Sequence, residues 1–519
     1  MSGICGIVSA KGSADPDRVA RMSATLAHRG PDSFGEFSDG TVALAARRLS
    51  IIDLEAGDQP IANEDGTLHV VQDGAIYNYR ELRWELERTG HHFGTQSDTE
   101  VVLHLYEEHG VRFADRLRGM FAIAIWDAAR RRLVLARDRF GIRPLVYRDG
   151  AGELAFASEL RALPRGEIDL EALEAFLASN SIPAPLTIFR DIRKLSPGHL
   201  LIWEKGRVQL EPYTRPALVQ AGDSRDDDEA ELVEELRSRL RDSVRAHLVS
   251  DVPVGVLLSG GVHSSFVTAL AAEETSEPLR TFSIGFGDEL GHARHVAARY
   301  STEHRELVLR PDPASLLRAL ADAFDEPFAD ATALPTYLVS QLAAGDVKGA
   351  LSGNGAEVLF SGEDVDLSAH LSDDILVKTD RASMANSLQA RVPYVDTVVT
   401  NLALAVPSRS RKLLLRKAAQ PLLPREIMRG GRHGFSMPAA AWLRGELEPF
   451  AREILSAETL RRQGFFRPEA VTPLIDEHAA GRADHSRRLW GLLAFTLWHE
   501  RHVEQAPSDV SVAEVLVER

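Results

Sequence analysis

The chain has 519 residues, which is too long for one hydrophobic core and predicts at least two domains. Its apolar share of 44% and charged share of 26% are ordinary for a globular protein, and its formal net charge of −16 argues against broad nucleic-acid or anionic-membrane binding. A single cysteine excludes an internal disulfide, and no apolar run reaches membrane-spanning length, so we expect a cytoplasmic protein.

The N-terminal part alternates strand-like runs with turn-type clusters. The first run, residues 1–8, contains the only cysteine, Cys5, and a lone cysteine in a strand is ordinarily a small core residue. Four clusters follow in order: HRGPD at 28–32, RRLSIID at 47–53, GAIYN at 74–78 and SDTE at 97–100. Together with Cys5 they resemble the glutaminase domain of the class II glutamine amidotransferases, specifically those of the asparagine synthetase B family.

This resemblance implies a catalytic set in residues 1–215. Cys5 is matched with the family's nucleophile, whose own α-amino group serves as general base. Arg48 corresponds to the arginine that contacts substrate, and Asp98 to the aspartate that holds the amino group of glutamine. Asp73 and Gly74 occupy the oxyanion-hole positions.

Two departures argue against a working glutaminase. Four residues precede Cys5, so its nitrogen is an amide and is not a base unless residues 1–4 are removed. The family has Asn-Gly where this chain has Asp73-Gly74, and an ionised carboxylate cannot donate a hydrogen bond to an oxyanion. Loss of one such donor costs on the order of 10²–10³ in rate.

Residues 216–229 are polar and acidic and lack apolar periodicity, which predicts a linker between a domain at 1–215 and a second domain at 230–519. Leucine and valine then recur at helical spacing from Ala230 to Leu248, which predicts an amphipathic helix.

The next stretch predicts a phosphate-binding turn. Residues 254–258, ending in Leu258, form a short apolar run typical of a buried parallel strand. Small residues follow, and a helix is predicted to open at the serine pair; the residues assigned to the turn are Ser259, Gly260, Gly261, His263, Ser264 and Ser265. Strand, glycine turn and helix N-terminus is a geometry that holds phosphate. The turn resembles the Ser-Gly-Gly-x-Asp-Ser pyrophosphate loop, with His263 in place of the aspartate.

Later motifs extend the resemblance to nearly the whole chain. TFSIGF at 281–286 includes Ile284, where the family contacts adenine, and LSGNGAEV at 351–358 includes Ser352 and Gly353. DEP at 325–327, KTDRASM at 378–384, ARVPYVD at 390–396, LLRK at 414–417 and GRHGFSMP at 431–438 also match, and Arg432 aligns with the lysine that steadies pyrophosphate. Strands ending in small residues at one sheet edge predict a nucleotide crevice.

The resemblance implies that Mg²⁺-ATP activates a small-molecule carboxylate and that ammonia, released from glutamine, attacks the acyl-adenylate. The metal ligand that the resemblance implies is Glu357. The carboxylates expected elsewhere are replaced at His263, Asn354, Val358 and Gln389, and the segment between Glu357 and Lys378 is shorter than in the family. Because the changes share one chemical direction, they favour altered or lost ATP chemistry.

The expected fold is an α+β N-terminal-nucleophile αββα sandwich followed by an α/β parallel-sheet domain of the ATP-pyrophosphatase type. Three functions remain open: an asparagine synthetase-like ligase, an intramolecular amide-forming synthetase of β-lactam or lasso-peptide type, and an inactive paralogue that binds a nucleotide or a partner protein. Relatives are often dimeric, so a homodimer is a further expectation.

Overall fold

The computed structural model describes residues 2–214, 229–285, 290–309, 312–363, 367–429 and 438–505. The predicted linker lies almost wholly outside these residues, and so does Arg432.

The first domain contains two six-stranded antiparallel sheets with the orders β10-β8-β9-β1-β3-β2 and β12-β11-β7-β6-β5-β4. Its strands are β1 Ser2–Ser9, β2 Ser33–Ser38, β3 Val42–Arg48, β4 Ile61–Ala62, β5 Leu68–Ile76, β6 Gly119–Asp127, β7 Arg132–Arg137, β8 Val146–Gly150, β9 Glu153–Ala157, β10 Arg193–Lys194, β11 His199–Glu204 and β12 Arg207–Pro212. Its α-helices are α1 Pro16–Ala24, α2 Tyr79–Thr89, α3 Glu100–His109 and α4 Leu170–Ser179.

Strand alternation explains the layers of this domain. In β1, Ile4 and Val8 face the second sheet, whereas Cys5 and Ile7 face the side covered by α1. Helices α2 and α3 cover the outer face of the second sheet. Helices therefore flank two packed sheets, which confirms the predicted αββα sandwich.

The second domain is built on a five-stranded parallel sheet of order β15-β14-β13-β16-β17. Its strands are β13 Val254–Leu257, β14 Arg280–Gly285, β15 Glu303–Val308, β16 Gly349–Leu351 and β17 Gln389–Arg391. Its α-helices are α5 Glu229–Leu248, α6 Val262–Glu274, α7 Gly291–Arg299, α8 Pro313–Ala323, α9 Ala333–Ala344, α10 Ala356–Leu359, α11 Leu367–His370, α12 Leu376–Met384, α13 Thr397–Ala405, α14 Ser408–Ala419, α15 Arg425–Arg429, α16 Ala439–Arg444, α17 Glu448–Ile454, α18 Ala457–Gln463, α19 Pro468–Ala479 and α20 Ser486–His499.

The amphipathic helix predicted from residue 230 is α5, and its Leu236, Leu240 and Val244 are buried in the core that α5 shares with α6, α13 and α14. The parallel sheet confirms the predicted α/β second domain. Within the described part of the chain, no helix combines the length and apolarity needed to cross a bilayer.

Candidate functional site

The phosphate-binding turn predicted after residue 258 lies at the carboxyl edge of the parallel sheet. The hydroxyl of Ser264 accepts a hydrogen bond from the backbone N–H of Ser259 at 3.1 Å, and the two hydroxyl oxygens are 2.9 Å apart. Helix α6 begins at Val262, and its N-cap, Gly261, provides no side-chain hydrogen bond. The first N–H groups of α6 are therefore not capped by this residue, as an anion site at a helix N-terminus requires.

Glycine is needed at two close approaches around this turn. Gly260 has a φ of +78°, and a Cβ there would lie 2.8 Å from the backbone nitrogen of Ala293. A Cβ on Gly353 would lie 2.8 Å from the backbone nitrogen of Ser264. The loop after β16 thus packs directly against the start of α6, and any side chain at 353 would displace it.

The other predicted nucleotide residues lie at the same edge. β14, β13 and β16 are neighbours in the sheet, and Leu258, Ile284 and Ser352 stand at or just beyond their carboxyl ends. The buried side chain of Ser265 lies one turn into α6, and its hydroxyl has no hydrogen-bond partner among the described residues. The structure therefore brings these predicted residues together in one crevice.

At the position where the resemblance implies an aspartate, the structure holds a neutral ring. Burial, reinforced by the charge of Lys412, lowers the pKa of His263 to about 4. The ring packs against Tyr394 with centroids 6.0 Å apart, and the Tyr394 hydroxyl donates to the His263 carbonyl oxygen at 3.1 Å. His263 is thus held by aromatic packing and supplies no negative charge near pH 7.

The facing loop after β16 carries the other changed positions. The side-chain amide of Asn354 donates to the Thr379 hydroxyl at 2.7 Å, which leaves its oxygen available as an acceptor. Val358 is buried in the hydrophobic core and takes no part in the crevice. Glu357 is exposed, and desolvation by the surrounding protein raises the pKa of its carboxyl although Lys378 acts in the opposite direction.

These residues fit one Mg²⁺ ion that arrives with a nucleotide. Mg²⁺ in phosphate-transfer sites is commonly held by one or two carboxylates together with substrate phosphates. Glu357 would supply one carboxylate, and Asn354 would supply an amide oxygen. The ion would offset phosphate charge when bound.

A lysine that the sequence motifs contained but did not single out lies beside this crevice. Lys378 is buried, and its ammonium group donates to Asp330 at 2.9 Å and to the Thr332 hydroxyl at 2.7 Å. Burial disfavours the charged lysine, but the charges of Asp330 and Glu357 keep its pKa above the usual value. Lys378 therefore carries a fixed positive charge next to Glu357.

The expectation that Gln389 belongs to the synthetase crevice is wrong. Gln389 begins β17 and pairs with Gly349, the first residue of β16, so it lies at the edge of the sheet opposite the nucleotide turn. It lines a cavity between the two domains instead, together with Arg391 and first-domain residues such as Arg48. The lost carboxylates at the crevice are accordingly fewer than the sequence indicated.

That cavity also brings together most of the predicted glutaminase residues. Arg48, Gly74 and Asp98 line it, and its volume is about 20 Å³, roughly the space of one water molecule. Asp98 accepts hydrogen bonds from the Ile76 backbone N–H at 2.8 Å and from Gln72 at 3.2 Å. Burial raises the pKa of the Asp98 carboxyl.

Cys5 does not reach this cavity. Its side chain is fully buried on the α1 side of β1, and its thiol lies 3.8 Å from the carbonyl oxygen of Val19. Burial raises the pKa of the thiol, which makes the nucleophilic thiolate scarce. The strand position opposite Arg48 is Ser2, a residue that sequence reasoning passed over.

Asp73 is also buried, but a cation compensates its charge. The guanidinium group of Arg29 donates to an Asp73 carboxylate oxygen at 2.8 Å, and both side chains are inaccessible to solvent. The Asp73 carboxylate is thus occupied by Arg29, and a carboxylate in such a pair accepts hydrogen bonds and does not donate them.

Arg29 joins Asp73 to a buried ionic network that connects the domains. It donates to both carboxylate oxygens of Asp380 in the second domain, at 2.8 and 2.9 Å, and Arg143 of the first domain donates to the same carboxylate at 2.6 Å. Burial alone would raise the pKa of the Asp380 carboxyl, but the charges of Arg29 and Arg143 keep it below the usual value. Arg381 and Glu159 form a further cross-domain pair at 3.1 Å.

Fold and sites together define a two-domain protein with an amidotransferase-like half and a nucleotide-crevice half. A family model described as a glutamine amidotransferase domain matches residues 1–214, and a model described as asparagine synthase matches residues 235–369 and 364–500. The chain therefore belongs to the asparagine synthase family, whose members are ATP-dependent amide-forming ligases.

Named relatives match over most of their length. Asparagine synthetase [glutamine-hydrolyzing] 1 of Bacillus subtilis is 32% identical, with 94% of this chain and 94% of the relative covered. Asparagine synthetase [glutamine-hydrolyzing] of Brassica oleracea is 30% identical over 91% of this chain and 84% of its own. Asparagine synthetase [glutamine-hydrolyzing] 3 of Arabidopsis thaliana is 32% identical over 91% and 86%.

Proposed function

We propose that this chain is an ATP-dependent amide-forming ligase of the asparagine synthetase type that receives its amine without hydrolysing glutamine in its first domain. One contrast carries the proposal. The nucleotide turn keeps its close packing, with Gly353 against Ser264, whereas the cavity lined by Arg48 and Asp98 has no thiol, because Cys5 lies on the other face of β1.

The crevice has the groups that carboxylate activation requires. The N-terminus of α6 offers backbone N–H groups to the triphosphate. The substrate carboxylate attacks the α-phosphorus, the bond to the β-phosphate oxygen breaks, and pyrophosphate leaves. An amine then attacks the acyl carbon, loses a proton, and AMP leaves. Lys378 offers a positive charge beside the crevice, and Glu357 with Asn354 would hold Mg²⁺.

The source of the amine follows from the first domain. Asp73 is committed to Arg29, and it cannot replace the donor that stabilises an oxyanion. Either free ammonia or an amine within the substrate serves instead. An intramolecular amine is the β-lactam or lasso-peptide type of reaction, and it needs no glutaminase.

A second candidate is a nucleotide-binding protein that does not adenylate. The observation that favours it is His263, a neutral ring packed on Tyr394 at a position where the family supplies a carboxylate. Val358 removes another carboxylate, although it lies in the core.

Carboxylate-dependent exchange between ATP and radiolabelled pyrophosphate tests the proposal. We expect exchange with at least one of a panel of carboxylates that includes aspartate, followed by amide formation with ammonium but not with glutamine. The Gly353→Ala variant is the matched control, since it alters the crevice and leaves the first domain intact. Binding of ATP without exchange for any acid would support the second candidate, and amide formation from glutamine would overturn the proposed amine source.

A further inference from the structure

A cluster of metal-ligating side chains in the first domain lies outside both the crevice and the Arg48 cavity. Glu64 follows β4, His91 follows α2, and His104 lies on α3. One ligating atom of each residue lies within 4.8 Å of the corresponding atoms of the other two. Imidazole nitrogen with carboxylate oxygen is a donor set typical of zinc and related divalent ions.

The hydrogen bonds of His104 leave one of its nitrogens open. Its side chain is fully buried, and its Nδ1 lies 2.8 Å from an oxygen of Glu107. Its Nε2 has no hydrogen-bond partner among the described residues and lies 3.8 Å from the nearest oxygen of Glu100. A buried imidazole nitrogen without a partner is unusual, because burying an unsatisfied polar atom costs free energy.

The surroundings of the two rings match the outer shell of a metal site. Histidine ligands commonly donate their second N–H to a carboxylate, which fixes the tautomer. Glu107 occupies that place for His104, and its other oxygen accepts from the Asn63 amide at 2.8 Å. Glu108 occupies the corresponding place for His91, with a carboxylate oxygen 2.9 Å from Nε2.

Charge and access also favour a cation. The ring centroids of His91 and His104 are 4.7 Å apart, and carboxylates of Glu64, Glu100, Glu107 and Glu108 surround them, so negative charge predominates even when both rings are protonated. Glu64 is exposed, which gives an ion a path from solvent and leaves room for a water ligand.

We propose that Glu64, His91 and His104 form a binding site for one divalent ion of the zinc class, with Glu107 and Glu108 orienting the imidazoles. Zinc holds nitrogen and oxygen ligands at about 2.0–2.2 Å, so the three donors would move closer together on binding. The site is separate from the amide-forming chemistry and does not depend on the proposed function.

Zinc competition tests this site. The full-length protein is stripped with a chelator and titrated with Zn²⁺ alone against a chromophoric zinc indicator. We expect one tightly bound Zn²⁺ per chain, weakened on the order of tenfold or more in Glu64→Gln and further in His91→Ala. His92→Ala, an exposed neighbouring histidine, is the matched control and should bind as the unaltered chain does.

Two further readouts keep the test decisive. Glu64 is exposed, so Glu64→Gln should fold normally, whereas loss of the buried His104 risks the fold. Zn²⁺ should raise the thermal midpoint of the unaltered protein and not that of Glu64→Gln. Failure to retain Zn²⁺, or equal binding by the unaltered chain, Glu64→Gln and His91→Ala, would show that the cluster is an ion-paired network only.

Discussion

The first domain and the nucleotide crevice of the second domain both carry changed residues, but the fold accommodates the changes differently. In the first domain an added charge, Asp73, is matched by the buried cation Arg29. In the second domain a lost charge, His263, is replaced by aromatic packing on Tyr394. An added buried charge requires a partner, whereas a lost one requires only that the cavity be filled.

This difference has a structural consequence. Arg29 also binds Asp380 across the domain boundary, so the altered first-domain site is part of what holds the domains together. His263 lies in the crevice of the second domain and forms no comparable link between the domains among the described residues. We therefore expect substitutions in the Asp73–Arg29 pair to lower the stability of the protein. Substitutions in the crevice should instead change ligand affinity.

The largest expected effect is that of Asp380→Asn. Arg29 and Arg143 both donate to the Asp380 carboxylate, and the variant removes its negative charge. Breaking a buried ion pair of this kind costs about 3–5 kcal/mol. Urea unfolding measures the loss. Asp242→Asn, which removes an exposed partner of Arg118, should cost at most about 1 kcal/mol. Equal costs for the two variants would contradict the role of the buried network.

Asp73→Asn should cost less than Asp380→Asn, about 1–3 kcal/mol, because Arg29 keeps Asp380 and Glu159 as partners. We expect no gain of glutamine hydrolysis, since no thiol lines the cavity. Ammonia release from glutamine and urea unfolding check the two parts. Appearance of glutaminase activity in this single variant would refute our placement of Cys5.

Gly353→Ala should weaken nucleotide binding on the order of tenfold, about 1.4 kcal/mol, and should cost about 1–3 kcal/mol of stability. The added Cβ would meet the Ser264 backbone at 2.8 Å and displace the turn. Gly291→Ala is the matched control, because a Cβ there meets nothing within 4 Å. Calorimetric titration with ATP measures both. If Gly353→Ala bound ATP with unaltered affinity, the nucleotide would have to bind somewhere other than this turn.

Glu357→Gln should reduce the pH dependence of Mg²⁺-supported nucleotide binding to that of the nucleotide phosphates themselves. Because desolvation raises the pKa of the Glu357 carboxyl, its protonated form persists to higher pH than that of a glutamate free in water. Only the ionised form binds Mg²⁺, so binding by the unaltered chain should strengthen as pH rises through that pKa. Titrations with ATP from pH 5 to 8 test this, and an unchanged pH profile in the variant would exclude Glu357 as the ligand.

Cys5→Ala should have the smallest effect. The thiol packs against the α1 side of β1, so its loss should cost about 1 kcal/mol of stability and no activity. Thermal unfolding and amide formation measure these two quantities. A selective loss of glutamine-dependent activity in this variant would instead indicate that Cys5 is a nucleophile.

The sequence by itself indicated the α/β second domain and the turn after β13, because strand-like and helical runs are local patterns. Apolar periodicity located α5, and the Ser-Gly-Gly turn after a short apolar run identified the crevice with Ser259 and Gly353. The family resemblance assigned Arg48 and Asp98 to one site, and both residues line one cavity in the structure.

Only the tertiary structure decided which of these residues meet. The face of β1 that carries Cys5 follows from strand alternation against α1, and the end of β17 that carries Gln389 follows from its register with Gly349. The partners of Asp73 and Asp380 are distant in sequence, so no local pattern contains them. Side-chain direction and long-range charge pairing are properties of the packed chain, and for that reason they could not be read from the sequence.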